Sequence, residues 1–171
     1  MNFTHVLYHK ACPDGFASAY VAWTKLGDNV KYLPVSYNDP PPNIKNGKVL
    51  VCDFSFKEKA TKKLIKNNEV FFNIDHHITA VDNLNNIDDK YKYFDMNHSG
   101  AILTWKYFYQ DIEPPRFLNY IEDYDLWKFE FEETKAFNAA TKQIPFSFYK
   151  WDKFKDEKYL NKLIKKGKII I

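Results

Sequence analysis

At 171 residues the chain has the length of about one domain, and its 45% hydrophobic and 18% aromatic content is ample for a packed core. Two cysteines, Cys12 and Cys52, are too few for a disulfide framework, and no apolar stretch is long enough to span a bilayer. Met1-Asn2-Phe3-Thr4-His5 leads directly into a strand with no signal peptide, so the expectation is a cytoplasmic protein with no membrane role. The net charge of +3 is uneven: residues 142–171 hold nine Lys against Asp152, Asp156 and Glu157, a net +6, which leaves −3 for residues 1–141. An acidic body suits clustered cation ligands, and a basic tail suits a polyanion, although a solvated helix face is the commoner reason for such a tail.

Val6-Leu7-Tyr8 reads as the first strand, ending at His9. Asp14-Gly15 then opens a helix to about Leu26, with Phe16, Ala19, Tyr20 and Trp23 at helical spacing and Gly27 as its stop. Residues 30–35 read as a second strand, and the proline-rich run 38–43 as a loop. Val49-Leu50-Val51-Cys52 is a third strand, ending at Asp53. A lysine-rich amphipathic helix over 56–67 precedes a fourth strand, Val70 to Ile74, which ends at Asp75-His76-His77. Tyr91 to Phe94 reads as a fifth strand. Ser99 is the expected N-cap of a helix ending near Tyr109. Pro114-Pro115 opens another helix toward Asp123, and a last helix covers 156–166. The tail Ile169-Ile170-Ile171 reads as a strand. The organisation expected is a body over 1–141 with a basic helical extension over 142–171 of the same domain.

Strands alternating with helices predict an α/β fold: three layers, α/β/α, around a mainly parallel sheet of about five strands. In such folds the site lies beyond the carboxyl ends of the strands. His9, Asp53 and Asp75-His76-His77 all fall there. Carboxylates and imidazoles buried together need a partner, and a divalent ion is the commonest one for this mixture. The donor set favours an octahedral ion such as Mn²⁺, with Mg²⁺, Co²⁺, Fe²⁺ or Zn²⁺ also admitted. Several carboxylates can hold two ions, which together polarise a phosphoryl oxygen and activate a water. Each residue also has an ordinary role: Asp53 and Asp75 as caps or turn residues, His76 and His77 as surface residues. Their joint placement at three strand ends favours the functional reading.

Five stretches carry a family resemblance: YHKACPDGFASAYVAW (8–23), VLVCDFSF (49–56), IDHHITA (74–80), FDMNHSGAILTW (94–105) and YIEDYDLW (120–127). In this order the chain resembles the DHH phosphoesterase superfamily, and within it the oligoribonuclease and cyclic-nucleotide phosphodiesterase-like branch. The resemblance implies that His9 and Asp14 each bind one of two metal ions and that Asp53 bridges them. It implies His76 as a further ligand supported by Asp75, His77 facing the phosphate, and Asp123 as the last acidic ligand with Asp125 as its alternative. It also places His98, Ser99 and Gly100 at a phosphate-facing helix N-terminus. Cys12 stands where the superfamily usually has Asp, and would be a soft ligand or a neighbour of the ions. The glycine- and histidine-rich second domain of larger members has no counterpart here. The pocket is therefore expected to be open or completed by another chain, a homodimer included.

The function expected is a metal-dependent phosphohydrolase acting on short oligonucleotides or cyclic nucleotides. A pyrophosphatase or polyphosphatase on the same site, and a nucleotide-binding protein without turnover, are the alternatives. Trp127, Tyr124 and Trp105 are candidate stacking platforms for bases, against the commoner role of each in a core.

Overall fold

The computed structural model describes residues 2–37 and 39–171; Met1 and Asn38, the latter in the predicted 38–43 loop, lie outside the described residues. The chain divides into two compact units, residues 1–110 and 111–171.

The first unit holds a five-stranded parallel sheet: β1 (His5–His9), β2 (Lys31–Val35), β3 (Lys48–Cys52), β4 (Val70–Asp75) and β5 (Lys92–Phe94). Between the strands run α1 (Pro13–Leu26), α2 (Glu58–Asn67) and α3 (Ile78–Leu84), and α4 (Gly100–Tyr109) closes the unit. The strands read as continuous apolar runs because helices cover both faces. Leu7, Val49, Val51 and Phe71 pack with Leu64 of α2 on one side. Val6, Leu50, Cys52 and Ile74 pack with Ala22 of α1 and Leu103 of α4 on the other. The three-layer α/β/α architecture expected from the alternation is the one observed.

Strand order is β2-β1-β3-β4-β5. From β1 the chain moves outward to β2, then crosses back over β1 to β3. The reversal leaves a crevice at the carboxyl ends of β1 and β3, where neighbouring connections leave in opposite directions. At the outer edges, β2 carries Lys31 and an exposed Pro34, and β5 is three residues long.

Residues 111–171 form α5 (Arg116–Asp125), α6 (Thr134–Thr141), α7 (Phe148–Trp151) and α8 (Glu157–Ile170). Their core is aromatic: the Phe154 ring lies 5.5 Å from Phe117, 5.7 Å from Phe137 and 5.4 Å from Trp151. α6 and α8 touch at backbone distance, since a Cβ on Gly167 would fall 1.8 Å from the carbonyl oxygen of Ala136. The expected change of organisation near residue 142 therefore lies inside this unit. Charge is a surface property, and α8 is cationic outside while Leu160, Leu163, Ile164 and Gly167 are buried. Ile169 and Ile170 prolong α8 rather than forming the expected strand, because that buried stripe sustains helical spacing to the end. No helix among the described residues is long and apolar enough to cross a membrane.

Candidate metal centre

The strand ends of the first unit bring His9, Asp53, Asp75, His76 and His77 to the crevice, and α1 adds Asp14. Asp53 follows β3 directly. It is fully buried and its backbone has φ +54°, a left-handed conformation that Asp tolerates better than most residues. Its Oδ1 lies 3.1 Å from His76 Nε2 and 3.8 Å from His77 Nδ1. Its Oδ2 lies 3.6 Å from His9 Nδ1, beyond hydrogen-bond distance. Both of these last two atoms are buried without a hydrogen-bond partner. Burial by itself would raise the Asp53 carboxyl, but the His76 hydrogen bond, with His9 and His77 beside it, outweighs burial and holds the group down to about 2. The group is an anion at neutral pH.

Two donor groups share this carboxylate. Ligand atoms of His9, Cys12 and Asp53 lie within 4.8 Å of one another, and so do those of Asp53, His76 and His77. A buried imidazole nitrogen and a buried carboxylate oxygen that face each other across 3.6 Å without bonding suit a cation between them. The described residues thus offer buried His and Asp clusters that fit a metal ion.

Asp14 sits in the first turn of α1 and is 1% exposed. Its carboxylate accepts the Gly100 N–H at 2.7 Å and the Ala101 N–H at 3.0 Å, and its Oδ2 lies 3.5 Å from His76 Nε2. An ionised carboxylate has about four lone-pair positions, so these bonds do not exhaust it. They do change the reading of α4. Ser99 caps that helix by accepting the Ile102 N–H, as expected, but Ser99 is fully buried and Gly100 gives its N–H to Asp14. The helix N-terminus expected to face phosphate is already neutralised by an internal carboxylate. His98 Nε2 lies 2.6 Å from Lys106 Nζ, nearly two turns into the same helix.

Two glycines make the close approach feasible. A Cβ on Gly100 would lie 2.6 Å from the Asp53 Cβ, and a Cβ on Gly15 would lie 2.4 Å from the His9 carbonyl oxygen.

Asp75 holds both histidines that follow it, His76 through its backbone and His77 through backbone and ring. Its Oδ1 accepts the His76 N–H at 2.8 Å, the His77 N–H at 3.2 Å and bonds His77 Nδ1 at 2.7 Å. Its Oδ2 accepts the Ser55 hydroxyl at 2.5 Å. Extended backbone places side chains at i and i+2 on one side, so residue 75 steadies the ring of 77 and the ring of 76 turns toward Asp53. His77 is the most open of the three rings, with its side chain 33% exposed against 23% for His9 and 7% for His76.

Asp123 and Asp125 belong to the second unit. Asp123 is buried, and its carboxylate accepts the Glu130 N–H at 2.8 Å, the Phe131 N–H at 3.3 Å and the Thr134 hydroxyl. It organises the loop between α5 and α6, a task with no local sequence signal.

Two residues escaped the sequence reading. Ser55 fixes Asp75. Tyr37, just past the end of β2, sets its ring 5.5 Å from His9 and 4.5 Å from Phe54. Burial first, and then Asp75 and Asp53, push the Tyr37 hydroxyl up to about 12. The strand-end rule that found His9 would have found Tyr37 had it been applied to aromatic residues.

No protein-family model matches the chain. An uncharacterized protein of Acanthamoeba polyphaga mimivirus is 34% identical to it over 178 residues, which take in 95% of this chain and 42% of the relative. The crystal structure of an uncharacterized protein from Helicobacter pylori G27 matches with a TM-score of 0.66 at 15% identity, over 99% of this chain and 64% of that one. The second likeness is one of fold. The chain spans less than two thirds of either protein.

Proposed function

We propose that the chain is a metal-dependent phosphohydrolase that cleaves phosphodiester bonds in short oligonucleotides or cyclic nucleotides. The observation that carries this reading is Asp53: a buried anion at the reversal of strand order, common to both donor groups, with one oxygen unpartnered toward His9. His9, Asp14, Asp53 and His76 would hold two divalent ions, with Asp53 shared and Cys12 beside them. Bound there, the ions would supply charge neutralisation at a phosphoryl oxygen and an activated water. Mn²⁺ suits this oxygen- and nitrogen-rich set, and a thiolate contribution from Cys12 would favour Fe²⁺ or Zn²⁺.

The chain's own residues have separable tasks. Asp75 is the acceptor for His77 Nδ1, which fixes the proton on that nitrogen and leaves the lone pair on Nε2. His77 can then accept or, once protonated, donate a proton at Nε2 beside a bound phosphate. Its greater exposure makes it the imidazole that an incoming substrate meets. The ring of Tyr37 flanks His9 on the outer side.

The test is hydrolysis by purified protein with Mn²⁺, Mg²⁺, Co²⁺, Fe²⁺ or Zn²⁺. Substrates are cyclic nucleotides, dinucleotides, short RNA, pyrophosphate and bis(4-nitrophenyl) phosphate. Turnover of diesters that chelator abolishes is the expected result. Turnover of pyrophosphate alone would move the reaction to phosphoanhydrides, and no turnover with any ion would leave a binding protein.

A further inference from the structure

The second unit carries an aromatic feature that the metal centre does not use. Trp127 is 74% exposed, the most open aromatic side chain among the described residues. It is held there at some cost, because Trp127 and Phe129 have φ of +55° and +51°. Bulky L-residues rarely adopt that conformation, and such outliers concentrate where a surface has work to do. Asp123 enforces it. Its carbonyl oxygen accepts the Lys128 N–H at 3.0 Å and its carboxylate the N–H groups of Glu130 and Phe131, so the loop is tied down on both sides of the two rings.

The rings border a cleft of about 290 Å³ lined by Tyr124, Trp127, Phe129, Lys135, Lys142 and Ile171, among others; two lysines against the terminal carboxylate of Ile171, with no Asp or Glu side chain in the wall, leave it a net positive charge. Tyr124 and Trp127 are stacked at 6.1 Å, Phe129 stands edge-on to Trp127 at 5.2 Å, and Lys135 Nζ lies 5.0 Å from the centre of the Phe129 ring. Open aromatic faces beside ammonium groups are the elements that grip unpaired bases and their phosphates. The cleft is at the small end of the range for ligand clefts, which suits a base with its phosphate rather than a folded partner.

We infer that this cleft is a binding site for single-stranded nucleic acid, in which a base stacks on Trp127 and the adjoining phosphates meet Lys135 and Lys142. The site stands on residues of the second unit alone; the choice of nucleic acid over another polyanion rests on the phosphodiester reading of the first.

The experiment is fluorescence anisotropy of a labelled hexauridylate with the full chain, in EDTA, where no cleavage occurs. Binding should weaken with salt. Trp127→Ala should lower affinity about tenfold, the order of one lost stacking contact, while Trp127→Phe keeps most of it. Replacing Lys135 and Lys142 together by Gln should reduce the slope of log affinity against log salt by about 1.4, two phosphates' worth for a single strand. An abasic strand of equal length should bind wild type as weakly as hexauridylate binds Trp127→Ala. Circular dichroism checks the fold; should Trp127→Ala unfold, the abasic strand and the double lysine variant carry the test. Equal binding of the abasic and uridylate strands, or equal competition by an acidic peptide, would overturn the stacking site. So would an absence of binding. Hydrolysis of bis(4-nitrophenyl) phosphate by wild type reports on the metal centre separately, so either reading can fail without the other.

Discussion

Asp53 combines three constraints at one position: full burial, a left-handed backbone and an ionised carboxylate with an oxygen to spare. Asn tolerates the same backbone and can still bond His76, so Asp53→Asn separates charge from fold. Isothermal titration should show its Mn²⁺ affinity reduced by more than ~100-fold, beyond the loss usual for groups that merely support a ligand, with melting temperature nearly kept. Unchanged Mn²⁺ affinity would remove Asp53 from the centre. The two thiols make a second residue-scale contrast. Cys12 is half-buried at the crevice, whereas Cys52 is fully buried in β3 and burial pushes its thiol up to about 12. Ellman's reagent should titrate one thiol quickly in the native protein and two in guanidinium, and Zn²⁺ should slow the fast one. Two fast thiols in native protein would contradict the packing of β3. At this scale the sequence was informative where a polar residue follows an apolar run, as at His9, Asp53 and Asp75-His76-His77. For Asp123 the family resemblance suggested a metal ligand, but nothing local pointed to its contacts with Glu130, Phe131 and Thr134, which only the folded chain brings round to it.

Helices and strands set the distances between these residues. The approach of α4 to the end of β3 depends on Gly100, since an added Cβ would meet the Asp53 Cβ at 2.6 Å. Ala has the better helix propensity by about 1 kcal/mol, but overpacking a site of this kind costs about 1–3 kcal/mol. Gly100→Ala should therefore lower stability on balance in urea titration, and should also weaken Mn²⁺ binding by shifting Asp53. A stabilised variant with full metal affinity would refute that geometry. The ten elements foreseen, five strands and five helices, share strong periodicity or a proline or serine start. α3, α6 and the four-residue α7 were not foreseen. The first is seven residues long, and the second, Thr-Lys-Ala-Phe-Asn-Ala-Ala-Thr, is built of small residues whose apolar stripe has little contrast. α6 is helical because α8 packs on it through Gly167, a tertiary cause that no local window contains.

For the whole molecule, the chain divides into two compact units at residue 110. His9, Asp14, Asp53 and His76, the residues proposed above to hold the ions, lie in 1–110, and the exposed aromatic cleft lies in 111–171. Hydrogen exchange should register this. Mn²⁺ should slow exchange around residues 9–15, 53–56, 75–79 and 99–102, where amides bond the donor carboxylates or flank them, by mass-action stabilisation of the bound state. Protection confined to 111–171 would place the ion elsewhere. The fold class was legible because strand and helix signals alternate across the first 110 residues. The unit boundary was not, because the change of charge near 142 marks lysines on the outer face of α8, while the boundary follows packing.

The sheet stops where it does for reasons that bear on assembly. A row of unpaired amides and carbonyls at a sheet edge is a template on which a second chain can grow. Here one margin, β2, interrupts that row with Pro34, which has no N–H to offer, and adds the charge of Lys31. The other margin, β5, is three residues long and begins with Lys92. Both margins are thereby blunted against strand addition from a like chain. Copies of this protein that meet at high concentration are thus steered away from edge-to-edge polymerisation.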